Sequence, residues 1–314
     1  MEDYWFIVFE HLTAPIDLRS LGLTCKAASL KLERHKDKLL NSRHLERLLK
    51  LFPKEDWNID FLSSNPNITW ETVKAFSSLP WCYICLSTNQ NITWDIVKHN
   101  PDISWSYGYL SQNVNFTLEI IQQNSHKDWN HNDVSKNPNI TWDIVQQNPK
   151  FKWNYRNLIT NPSFTWDIIQ QIPAENLTGD KHLFSFNTNV TWDIVKQNPD
   201  IEWDSTAISC NRTVTWDIVQ QNPTFPWCYE TLSVNPNITL DIVKQNPHLP
   251  WCHKTLSQNP NITWDIIQQN PQIKWDIARF SSNPNLTWKI VYHNKHLPWD
   301  WGRMSKNKFE RKKV

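Results

Sequence analysis

The chain has 314 residues and carries 20 Trp and 19 Pro against 4 Gly and 2 Met. Lys+Arg is 32 and Asp+Glu is 31, and the resulting net charge of +1 excludes a general electrostatic attraction to nucleic acid. Aromatics at 13% and charged residues at 20% exclude general disorder, and no apolar run reaches the ~18 residues a membrane span needs.

Residues 1–50 stand apart from the rest of the chain. The start, MEDYWFIVFEHL, is acidic and has no basic flank, so it does not read as a signal peptide. Trp5, Phe6, Ile7, Val8, Phe9 and Leu12 make an apolar run of helical length. After Pro15, Asp17 is a predicted helix cap for a second run with Leu18, Leu21, Leu23 and Cys25. A leucine-rich third run extends from Ala27 to Leu51, and three short packed helices are expected. The string from Asp17 to Lys26, DLRSLGLTCK, resembles the centre of an F-box. That resemblance implies docking on the Skp-type adaptor of a cullin ubiquitin ligase, with substrate recruited by the domain behind. The contact residues would be Trp5, Val8, Phe9, Leu12, Asp17, Leu18, Leu21, Leu23, Cys25 and Lys26. The residues themselves leave a second reading open: a helical cap that seals the first repeat, since arrays need a polar-faced terminal unit.

From residue 51 to 306 the chain is a repeat array. Asn stands at 65, 89, 113, 137, 161, 187, 211, 235, 259, 283 and 307, always 24 residues apart except for 26 between Asn161 and Asn187. Such self-similarity marks a stacked array of identical units, here ten copies with an irregular one at 173–186 and a basic tail at 307–314. The first half of each copy reads Asn-Pro-Asn-Ile-Thr-Trp-Asp-Ile-Val-x-x-Asn-Pro. Thr is a predicted cap, Trp the first helical residue, and the carboxylate next to it favours the amino end of the helix. Asn-Pro then stops it, with Asn expected in the left-handed conformation. The second half starts near a second Trp and ends in Leu-Ser before the next Asn. Each copy is therefore predicted to be two very short antiparallel helices, which are unstable alone and must be held by packing.

The expected fold is all-α: an α-solenoid of two-helix repeats behind a small helical N-terminal domain. A period of 24 leaves a β-containing solenoid as the alternative. The Trp rows are expected to form the core ladder. The Asn row is expected to satisfy backbone groups at the turns. Nine carboxylates from Glu71 to Asp265 recur beside the first Trp, and capping accounts for them without a metal. The Asn-x-Thr triplets read as repeat punctuation rather than glycan acceptors.

The frame hardly changes between copies, while the residues after the second Trp do. A fixed scaffold with one variable face suits recognition of a partner. Tyr83, Tyr107, Tyr109, Tyr155, Arg156, Tyr229, Glu230, His253 and Lys254 are the expected partner-binding residues. The repeat resembles tryptophan-rich short repeats in proteins of giant and other large DNA viruses, which also set F-box-like segments ahead of arrays. That resemblance implies a host-directed interaction protein of the host cytoplasm, with nuclear entry open through the basic tail. A lectin-like or nucleic-acid-stacking module using exposed Trp is a further reading. Six Cys show no pairing pattern and read as reduced thiols. Cys82-x-x-Cys85 is the one metal-like spacing, and no second pair accompanies it. No phosphate loop, nucleophile elbow or acid–base pair appears, so no catalytic residue, cofactor or metal is expected.

Overall fold

The structure, a computed structural model, describes residues 44–177 and 181–309. The F-box-like string and every adaptor-contact residue expected between Trp5 and Lys26 lie outside the described residues. The described residues are all-α, with helices of four to six residues recurring along the array and no strand among them.

The first-half helices form as their sequence dictates. Trp94–His99 is capped by Thr93, whose hydroxyl accepts the Ile96 amide at 3.4 Å, and the same bond recurs at Thr117, Thr191 and Thr263. Thr69 adds a capping box with Thr72. The stop differs from expectation. Asn100 has φ −130 and ψ 61, outside the left-handed region, and Phe309 is the only non-glycine residue described with positive φ. Asn100 ends its helix through its side chain, donating Nδ2 to the Ile96 carbonyl at 2.7 Å. The chain then turns so that the Asn100 carbonyl accepts the Trp105 indole N–H at 3.0 Å. An amide that binds the penultimate turn removes the need for a left-handed residue there.

The two Trp rows consequently do different work. The second-half Trp donates its indole N–H to a carbonyl five residues back in all ten cases, from Trp57 to Phe52 through Trp299 to Asn294. Trp57, Trp81, Trp105, Trp227, Trp251 and Trp299 are buried. The first-half Trp are half-buried, Trp192 excepted, and Trp70, Trp166, Trp192, Trp216 and Trp264 tilt against the second-half Trp of the next copy, as Trp216 does on Trp251 at 5.6 Å. The ladder is diagonal.

Copies are joined mainly by side chains bonding backbone. Asn89 donates Nδ2 to the carbonyls of Ser63, Asn65 and Ile68 at 2.9, 2.9 and 3.1 Å, while its Oδ1 accepts the Asn91 amide. Asn91 in turn donates to the Pro66 carbonyl at 2.7 Å. At every copy but the one carrying Ile159, a Ser near the end of the second-half segment is buried and its hydroxyl accepts an amide of the next copy, as Ser63 does from Cys82 at 3.0 Å. The sequon-like asparagines are thus spent on the frame.

The same bonds join the end of the array to its beginning. Asn65 donates Nδ2 to the carbonyls of Ser305 and Asn307 at 2.7 and 3.0 Å. Asn67 donates to Lys308 at 2.8 Å, and the Asn58 amide donates to Ser305 Oγ at 3.1 Å. Each repeats a contact made between ordinary neighbours, so the succession of copies closes on itself. Eleven junctions complete the circuit. The eleventh copy is built from both ends of the array. Asn307, Lys308 and Phe309 supply its opening, and residues 44–51 supply its first-half helix, which the head assigned to residues 1–50 had included. Phe309 is fully buried and stacks on His44 at 5.8 Å. Buried side chains of residues 45–116 and 190–309 accordingly belong to one core cluster.

The irregular copy keeps the frame with slack. Its second half is two 3-10 turns, Ala174–Asn176 and Lys181–Phe186. Asn187 still reaches the carbonyls of Ile159 and Phe164 at 2.7 and 2.8 Å, and Ser185 still accepts the Asp204 amide. Buried Ile159 stands where other copies have Ser, and Thr165 makes no side-chain cap bond.

Candidate interaction surface

Every residue expected to meet a partner falls on a second-half helix, because these helices begin one residue after an N-cap that follows the buried Trp. Tyr83 and Tyr109 are exposed, at 36% and 45%. Arg156, Glu230, His253 and Lys254 are exposed as well. Tyr107, Tyr155 and Tyr229 are half-buried. Two of these also pack, Tyr107 edge-on to Trp129 at 5.1 Å and Tyr229 edge-on to Trp251 at 5.2 Å. Burial holds the Tyr229 phenol above its ordinary range. Trp301 takes the same place over Trp57 across the closure, at 5.0 Å. Tyr107, Tyr229 and Trp301, the first residues of their helices, are therefore shared between packing and surface.

Shallow grooves run between neighbouring starts of these helices. One of about 680 Å³ is lined by Tyr107, Gly108, Asn130, His131, Asn132 and Lys152. Another of about 570 Å³ lies at the closure, between Asp56–Asp60 and Trp299–Gly302, in the equivalent position. Asn154 and Asn157 cross such a boundary, donating to Asn132 Oδ1 and its carbonyl at 3.0 and 2.7 Å. The variable side chains thus project from a hydrogen-bonded frame.

The carboxylate row lies on the first-half helices and is exposed throughout. Lys98 sits 3.0 Å from Asp95 and Lys196 sits 2.8 Å from Asp193. The hydrogen bond and charge of Lys98 hold the Asp95 carboxyl below its ordinary range. These are solvated, separately spaced groups.

Compared with models of known protein families, with curated proteins and with solved structures, the chain has no significant match. The surface must be read from its own residues.

Two features were missed in the sequence. The buried Ser row was visible in the Leu-Ser ending, but only the three-dimensional junction shows its acceptor role. The second concerns Cys82-x-x-Cys85. Cys82 caps Tyr83–Ser87 by accepting the Cys85 amide at 3.3 Å. Asp60, from the preceding copy, brings a carboxylate to the same spot, the three ligand atoms lying within 4.8 Å of one another. Burial pushes the Cys85 thiol up to about 12, with the Cys82 sulfur and the Asp60 carboxylate adding to it. The five cysteines described are free thiols. No helix among the described residues is long and apolar enough to cross a membrane.

Proposed function

We propose that the chain is a protein-recruiting scaffold without catalytic activity. It is an α-solenoid closed on itself, whose second-half helices hold a protein target while the F-box-like segment meets a Skp-type adaptor. The observation that carries the reading is the division of labour between positions. Asn and Ser are consumed by bonds between copies, and Trp by indole bonds within a copy and by packing, in nearly every copy, whereas the residues between them differ from copy to copy and are largely exposed. Conserving a frame while varying one face is what a recognition surface needs. None of the described tryptophans is exposed, which favours this reading over stacking of sugars or bases on indole faces.

The adaptor link is tested by capture of a Skp-type adaptor by the full chain and by its Leu18→Glu/Leu21→Glu variant. Removal of residues 1–50 is the wrong control, because residues 44–51 complete a copy of the array. Capture by the unaltered chain alone is expected. Failure of the well-folded chain to capture adaptor would remove the ligase link. The target surface is tested by changing Tyr83, Tyr109 and Arg156 to Ala together. Proteins captured by the unaltered chain should be lost, and should persist when Asp95, Asp143 and Asp217 are changed to Asn instead. The reverse pattern would move the surface to the carboxylate face.

A further inference from the structure

We propose that Asp60, Cys82 and Cys85 form a binding site for a thiophilic divalent cation, with zinc the best match. Asp60 stands in the first turn of Ile59–Ser64, Cys82 caps the helix of the next copy, and Cys85 lies in that helix. Their two sulfurs and one carboxylate oxygen lie within 4.8 Å of one another. Tetrahedral zinc, with Zn–S near 2.3 Å and Zn–O near 2.1 Å, needs ligand atoms about 3.5–3.8 Å apart. Small side-chain rotations close that difference. The backbone is already fixed on both sides: the Cys82 amide donates to Ser63 Oγ at 3.0 Å, and Asn89 binds the Ser63 and Asn65 carbonyls. Two thiols with one carboxylate select zinc over magnesium or calcium, which take oxygen ligands. Three protein ligands leave one tetrahedral position for water or a donor from a partner.

The frame asks for a cap at Cys82 but for neither a thiol at Cys85 nor a carboxylate at Asp60. At the positions of Asp60, Cys82 and Cys85 the next copy has Ile84, Ser106 and Tyr109, and another has Glu230, Cys252 and Thr255. Ser106 caps its helix as Cys82 does. A cluster of three or more such ligands occurs at one place among the described residues. The site goes beyond protein recruitment and stands without it.

The test is titration of the full, thiol-reduced chain with cobalt(II) under anaerobic conditions, followed by displacement with zinc. One cobalt per chain is expected to bring in a near-ultraviolet thiolate-to-cobalt charge-transfer band that zinc abolishes. Cys82→Ser and Cys85→Thr should each remove the band. Asp60→Asn should weaken binding at least about tenfold, the loss that even outer partners of a metal can cause. Ser106, Thr255 and Asn132 hold these same positions in other copies, so the variants should fold, and unchanged thermal melting of the metal-free chains checks it. Absence of the band in the unaltered chain, or its survival without either cysteine, would overturn the site. Binding unaffected by Asp60→Asn would overturn the ligand set.

Discussion

Single side chains hold this molecule by bonding backbone across copies, so their removal leaves buried carbonyls without partners. Asn259 donates to Ser233, Asn235 and Ile238 at 2.9–3.0 Å and accepts from Asn261. At roughly 1 kcal/mol per bond, Asn259→Ala is expected to cost about 2–4 kcal/mol in urea denaturation. A loss under about 1 kcal/mol would show that the ladder is ornamental. The tryptophans offer a sharper contrast. Trp227 donates its indole N–H to Asn222, whereas the buried Trp192 N–H has no partner among the described residues. Trp227→Phe should therefore destabilise more than Trp192→Phe, by about 1–2 kcal/mol. Equal losses in paired denaturation curves would contradict the role given to the indole bond.

The described helices, most of them four to six residues long, are far below the length that stands alone in water. Caps and cross-copy packing make them. Thr263→Ala removes a hydroxyl that accepts the Ile266 amide and should cost about 1 kcal/mol, while Thr165→Ala removes no such bond and should be nearly neutral. Thermal melts of the two variants check this; equal shifts would sink the cap argument. Helix starts were legible because Thr-Trp-Asp carries its own chemistry within a few residues. Helix ends were legible only as breaks. Asn100 was expected to turn left-handed, and instead its side chain reaches back to Ile96, a choice decided by where Trp105 must lie. The exposed tyrosines could be placed from repeat spacing alone, whereas Asp60 beside Cys82 could not, because their meeting depends on how one copy sits on the next.

For the whole molecule, the repeat period dictates stacking, but a linear pattern does not declare its curvature. The one hint was Asn307, an eleventh member of the row standing in what reads as a basic tail. Phe309 beside it is fully buried although its backbone, at φ 51, lies in the left-handed region that is uncommon for an aromatic residue. Burial at the closure outweighs that strain. Phe309→Ala should cost about 3–5 kcal/mol, as core phenylalanines do, where a residue in a solvated tail would cost nothing measurable by denaturation. Closure itself is tested most directly by pulsed-EPR distances in a variant whose native cysteines are replaced by serine. Spin labels at Ser64 and Lys306, which stand on copies meeting across the closure, are compared with labels at Ser64 and Thr88 on ordinary neighbours. The closed array expects the two pairs to give the same short distance. A long or broad distance for Ser64 and Lys306, beside a short one for Ser64 and Thr88, would mean an open arc and contradict the account.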